Sequence, residues 1–169
     1  MTPMNKLCLA SAPLNGRSGH EAGRVLLQQL YREETGLDCP DIQISPRGKP
    51  FFAESNLYFS ISHTPAHVFC VLSHVPVGID AEEIGRPVNL MLASKILSPS
   101  EKKRFSASSD KRAALLRLWV LKEAAVKCTG EGLRGYPNHT DFSPDDPRVF
   151  ERDGCYVAII TEGGENHAV

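Results

Sequence analysis

Apolar positions change their period several times along the chain, and each change predicts an element. Residues 5–12, built from small and apolar side chains, predict a first strand. The apolar part is too short for a secretory leader. Over 19–34, Leu26, Leu27, Leu30 and Tyr31 recur at helical spacing, and Gly36 offers a stop. A polar turn, Pro46-Arg47-Gly48-Lys49-Pro50, then leads to an extended segment around Phe51 and Phe52. Aromatic and β-branched residues at Leu57–Ser62 and the run His67–Leu72 predict a hairpin closed by Thr64-Pro65-Ala66. Val77–Ala81 predicts one more strand, with Asp80 inside it and Glu82 just beyond its end.

Helical signals take over in the second half. Ser98-Pro99-Ser100-Glu101 places a capping hydroxyl, a proline at the first helical position and a glutamate three after the cap, so a helix starts there. A second helix opens after Ser108-Ser109, with Asp110 suited to the positive end of its dipole, and runs to about Cys128 before Gly130. From Ala113 to Val126 it is apolar almost all round, which marks a buried helix. Tyr156–Ile160 returns to strand. The mixture is α+β.

Composition narrows the classes of function. Nineteen basic residues balance twenty acidic ones, which gives no sign of a nucleic-acid partner. No apolar run is long enough to span a bilayer, so no membrane partner is expected. The five cysteines contain no Cys-x-x-Cys pair, the usage expected of reduced thiols in a cytoplasmic protein.

Two acidic patterns carry the candidate chemistry. Asp80 and Glu82, two apart on a strand, share a face, where a cation would relieve their repulsion. A hard divalent ion such as Mg²⁺ is commonly shared between a few carboxylates and substrate phosphates. Read alone, the pair fits a solvated strand end equally well. Glu123 and Lys127 share a helix face with Trp119, and alone they fit an ordinary helical ion pair. His63, His67 and His74 raise the question of zinc. The spacing of His63 and His67 spans a predicted turn, however, and no cysteine supports it. Neither a phosphate-binding Gly-x-x-x-x-Gly-Lys loop nor a nucleophile elbow occurs.

The conjunction is more specific. Gly78-Ile79-Asp80-Ala81-Glu82, followed by Trp119-Val120-Leu121-Lys122-Glu123-Ala124-Ala125-Val126-Lys127, resembles the signature of the 4′-phosphopantetheinyl transferases. Gly48-Lys49-Pro50, Ser62-His63 and Gly130-Glu131-Gly132-Leu133 resemble further family segments, and the likeness covers roughly residues 20–160. The resemblance implies transfer of the phosphopantetheine arm of coenzyme A to a serine of an apo acyl or peptidyl carrier protein, releasing 3′,5′-ADP. It implies Asp80, Glu82 and Glu123 as ligands of Mg²⁺ (or Mn²⁺), and Lys127 at the phosphates. Glu123 is implied both as metal ligand and as base toward the serine, and those two roles compete. Ser62, His63, Lys49 and Arg24 are implied at the nucleotide end of coenzyme A.

The same resemblance implies a shortened member of the larger two-half type. Two similar half-domains, 1–73 and 74–169, would be related by a pseudo-twofold axis, each a small antiparallel sheet packed on a long helix. Coenzyme A would lie between them, and a monomer is favoured. The larger members carry a basic N-terminal helix with no counterpart here, which leaves coenzyme A affinity open. Residues 165–169 resemble the start of the family's last strand, implying a trimmed sheet or one completed by a neighbour. Lys102, Lys103 and Arg104 are expected to form part of a docking surface for an acidic carrier, or else a solvated face. The competing class is a non-catalytic coenzyme A-binding module that regulates a synthase assembly.

Overall fold

A computed structural model of the chain describes residues 6–131 and 140–163. Gly132, Leu133 and the segment 165–169 singled out above lie outside the described residues. The elements run β1 (Leu7–Pro13), α1 (Gly19–Thr35), β2 (Ile42–Ile44), β3 (Pro50–Phe52), β4 (Tyr58–His63), β5 (His67–Ser73) and β6 (Val77–Glu83). A 3₁₀ turn (Leu90–Leu92), α2 (Ala93–Ile96), α3 (Pro99–Ala107), α4 (Lys111–Thr129), β7 (Val149–Arg152) and β8 (Cys155–Thr161) follow. The protein is α+β.

The described strands pair antiparallel, in the orders β1-β5-β4 and β6-β8-β7, with β2-β3 as a small ribbon. Both three-stranded sheets follow one path. A strand leads through a long helix to a hairpin, and the second hairpin strand takes the centre of the sheet. β6 extends further than the sequence predicts. Its ladder with β8 continues through Glu82 opposite Tyr156 and Glu83 opposite Cys155, so Glu82 lies inside the strand.

The central strands are apolar on both faces because both faces are covered. Val68, Cys70 and Leu72 of β5 pack with Leu26, Leu27, Leu30 and Tyr31 of α1. The alternate residues, Phe69 and Val71, join Val77, Ile79 and Ala81 of β6 and Val157 and Ile159 of β8 in a core shared by the two sheets. On the far side of β8, Tyr156, Ala158 and Ile160 meet Leu116, Val120, Leu121 and Ala124 of α4. A further face of α4, Leu115 and Leu118, is covered by Ala93 and Leu97, so this helix is apolar all round.

Caps fix where the helices begin and end. Ser98 accepts from the Glu101 N–H while the Glu101 carboxylate accepts from the Ser98 N–H at 2.9 Å, closing the predicted capping box. Ser18 and Glu21 form another at the start of α1. Asp110 caps α4, whose last turn ends at Gly130 with φ 71°, a left-handed conformation that favours glycine.

Candidate active site

Gly78 decides how closely the two signature segments approach. A Cβ there would sit 1.9 Å from the Ala124 carbonyl oxygen and 2.4 Å from the Cys128 nitrogen. With no side chain in the way, the backbone of α4 rests directly on β6. On the same face of β6, Asp80 and Glu82 then meet the polar residues of the helix.

The Lys127 ammonium lies 2.9 Å from Asp80 Oδ1. The Ser62 hydroxyl, from β4, donates to the same oxygen at 3.2 Å and accepts from the Ala81 N–H at 3.1 Å. Asp80 is 7% exposed. Among the described residues its other oxygen, Oδ2, alone is a buried side-chain polar atom without a hydrogen-bond partner. Burial pushes the Asp80 carboxyl up, against the pull of Lys127, and the charge of Glu82 adds to the rise. Burial likewise raises Glu123, and the charges of Asp80 and Glu82 raise it further while Lys127 opposes them. The three carboxylates therefore share one electrostatic field.

No three His, Cys, Asp or Glu side chains among the described residues are gathered into a ready-made metal cage. Two of the carboxylates are held by cations, Asp80 by Lys127 and Glu82 by Arg86 at 2.5 Å. The donor set nonetheless fits a hard divalent ion. It offers an unpartnered buried carboxylate oxygen with two further carboxylates in its field, all hard oxygen ligands.

The nucleotide-end residues of the resemblance are placed unequally. His63 is exposed at the end of β4 and packs on Gly19, the first residue of α1, where a Cβ would come within 2.2 Å of its ring. Ser62 is 5% exposed, and its single proton is directed to Asp80 rather than to open solvent. Lys49 lines a cleft of about 280 Å³ with Arg47, Ile61, Lys127 and Gly130. Its ammonium caps α4 by donating to the Cys128 carbonyl at 2.6 Å. Arg24 is half-buried on α1, its positive charge opposing the rise that burial gives the Cys39 thiol. No hydrogen bond or ion pair links it to the carboxylates among the described residues.

A second cleft, of about 320 Å³, is lined by Glu82 with Arg86, Val88, Leu92, Ile96 and Trp119.

Two features escape a reading of the motifs alone. Lys122, next to Glu123, turns away from the carboxylates and forms a 2.7 Å ion pair with Glu101, both nearly inaccessible. Glu101 also accepts from Thr140 and from the Phe142 N–H. The capping box announced Glu101, but its partner on another helix left no local signal. Arg104 is tied to Asp141 at 2.6 Å and to the Phe142 carbonyl, which leaves Lys102 and Lys103 exposed.

Comparison with known proteins finds similarity to one family. A model of the 4′-phosphopantetheinyl transferase superfamily matches residues 76–158, the stretch from the start of β6 into β8. The chain is similar to the 4′-phosphopantetheinyl transferase HetI of Nostoc sp., at 32% identity over 84% of this chain and 70% of that protein. It is also similar to the 4′-phosphopantetheinyl transferase psf-1 of Bacillus pumilus, at 32% identity over 66% of this chain and 49% of that protein. A 4′-phosphopantetheinyl transferase of Bacillus subtilis is 29% identical over 66% of this chain and 51% of its own length. The aligned part of the chain thus spans about half the length of the two Bacillus relatives.

Proposed function

The chain belongs to the 4′-phosphopantetheinyl transferase superfamily, and we propose that it transfers 4′-phosphopantetheine from coenzyme A to a serine of an apo carrier protein. The serine oxygen forms a bond to the phosphorus on the pantetheine side of the pyrophosphate, the P–O bond to the other phosphate breaks, and 3′,5′-ADP leaves. The observation that carries the reading is the unpartnered, buried Oδ2 of Asp80, beside Glu123 and under Lys127.

Asp80, Glu82 and Glu123 would hold a Mg²⁺ or Mn²⁺ ion. When bound, the ion neutralises charge on the pyrophosphate. Burial and the charges of Asp80 and Glu82 raise the Glu123 carboxyl, which makes its carboxylate a stronger base for the proton of the attacking serine, a role that competes with metal ligation. Lys127 offers an ammonium to the departing phosphate oxygen. The cleft beside Lys49 and Lys127, with its two ammonium groups, suits the anionic nucleotide end of coenzyme A. The groove beside Trp119, walled by Val88, Leu92 and Ile96, suits the uncharged arm. His63 stands at the nucleotide side and, with Arg24, completes that end of the site. Residues 1–73 and 74–169 form two half-domains of a monomer in this reading. Exposed Lys102 and Lys103 offer positive charge to an acidic carrier.

The test is incubation with coenzyme A, Mg²⁺ and several apo carrier proteins, read by the mass gained by the carrier. Wild type should add one phosphopantetheine group. Asp80→Asn should reduce the rate by ~10²-fold or more, the order lost when a group serving transition-state charge is removed. An Asp80→Asn rate equal to wild type would show the site assignment wrong. Coenzyme A binding with no mass gain on any carrier would replace the enzyme reading by a non-catalytic binding module.

A further inference from the structure

Ser60 and Ser62 alternate along β4, so their side chains point to one face. β4 and β6 are edge strands of different sheets and share no ladder. The two hydroxyls join them instead, Ser60 accepting from the Ile79 N–H and Ser62 from the Ala81 N–H, each at 3.1 Å. β6 gives its other edge to β8, so these contacts satisfy N–H groups that would otherwise be buried without partners.

The two serines differ in where their protons go. A hydroxyl has one proton to donate. That of Ser62 lies toward Asp80 Oδ1, a direction favoured because the Ala81 N–H already occupies one of its lone pairs. Ser60 makes the same backbone contact without touching a carboxylate. Asp80 Oδ1 thereby receives two donors, Ser62 and Lys127, while Oδ2 receives none among the described residues.

We infer that Ser62 is a positioning residue for the metal ligand Asp80, and not a contact for the nucleotide of coenzyme A. Together with Lys127 it holds Oδ1, fixes the plane of the carboxylate and leaves Oδ2 for a divalent cation. A Ser62 hydroxyl turned to a substrate phosphate would have to release Asp80, leaving a buried carboxylate oxygen with one donor fewer. This inference rests on the metal-assisted reading above and replaces the nucleotide-end role that the family resemblance implies for Ser62.

The test measures Mn²⁺ binding by electron paramagnetic resonance on the protein alone, without coenzyme A or carrier. Partners that orient a metal ligand change affinity by ~10–100-fold when removed, so Ser62→Ala should bind Mn²⁺ ~10-fold or more weakly. Ser62→Thr, which keeps the hydroxyl, should bind nearly as wild type. Ser60→Ala, which loses a backbone contact of the same kind, should also stay near wild type. Coenzyme A binding measured in chelator should be the same for wild type and Ser62→Ala. Equal Mn²⁺ affinity in wild type and Ser62→Ala would overturn the inference, as would lost metal-free coenzyme A binding. An equal loss in Ser60→Ala would reduce it to interstrand support. Absence of Mn²⁺ binding by wild type would overturn the metal site itself, and this inference with it.

Discussion

Replacing Glu101 by alanine tests whether α4, the helix of the signature, is anchored to α3 by a buried ion pair. Its carboxylate is inaccessible and receives four donors: Lys122 at 2.7 Å, the Ser98 N–H at 2.9 Å, Thr140 at 2.6 Å and the Phe142 N–H at 3.1 Å. Removing one member of a buried pair strands the other charge, at about 3–5 kcal/mol. The three neutral donors add to this where water cannot reach them, so the upper part of the range, ~5 kcal/mol, is expected for Glu101→Ala. Lys122→Met should cost about 3 kcal/mol, since it leaves a carboxylate that keeps its neutral donors. In a chain of this size ~5 kcal/mol lowers the melting temperature by roughly 10–20 °C. Urea unfolding of wild type, both single variants and the double variant gives the coupling. The double variant should cost about 5 kcal/mol and not the sum, a coupling near 3 kcal/mol. Additivity within ~0.5 kcal/mol would refute the argument.

The pH dependence of that experiment has a definite sign. Burial raises the Glu101 carboxyl, but Lys122, Thr140 and the two backbone N–H groups outweigh it and hold the group below its ordinary value of 4.5. A lowered carboxylate contributes stability above its unfolded pKa and loses it as pH falls through the folded one. The gap between wild type and Glu101→Ala should therefore be full at neutral pH and shrink as the solution is acidified below 4.5. A gap that widens on acidification would show the sign to be wrong.

Two further outcomes follow from the site. Gly78→Ala should destabilise the protein by about 3 kcal/mol or more, because a methyl 1.9 Å from the Ala124 carbonyl meets backbone that cannot yield. Thermal unfolding measures that loss, and a shift under a degree or two would mean that α4 does not rest on β6 as described. Glu123→Gln should lower kcat by ~10²–10⁴-fold if Glu123 takes the serine proton. In metal-free buffer it should also unfold later than wild type at neutral pH and equally at low pH. The reason is that a carboxyl raised by burial, Asp80 and Glu82 stabilises the fold below its unfolded pKa and loses that contribution as pH rises through the folded one.

Much of this structure was legible in the sequence where signals are local. The Ser98–Glu101 box, the Asp110 cap, the Gly36 and Gly130 stops and the all-round burial of α4 are carried by neighbours along the chain. β2, β7 and the 90–96 segment were not read, since three- or four-residue elements leave no usable period. The signature motifs placed Asp80, Glu82, Glu123 and Lys127 near one another, yet the reason they meet is Gly78, whose role appears only against the helix backbone. Ser62 and Lys122 carry no local signal of their contacts. Their partners, Asp80 and Glu101, belong to other elements, and a motif records which residues stand together without recording which way each one turns.

The pairs that hold the carboxylates differ in strength. Arg86 on Glu82 is 47% exposed, and an exposed pair of this kind is worth about 0–1 kcal/mol. Releasing Glu82 toward a cation is therefore nearly free. Asp80 is enclosed, and its contacts with Lys127 and Ser62 are screened little by water, so its orientation is kept. The site thus has one fixed oxygen, Asp80 Oδ2, and one carboxylate held only by a weak exterior pair. If Glu82 and Asp80 hold a divalent ion together, the exposed Arg86 pair is the weaker hold on the site and the buried Asp80 contacts the stronger. On that account Arg86→Ala should leave Mn²⁺ affinity within ~5-fold of wild type, since the pair it removes is worth no more than about 1 kcal/mol. A tenfold gain would mean that Arg86 competes strongly for Glu82 and that the exterior pair, not the buried one, governs metal entry.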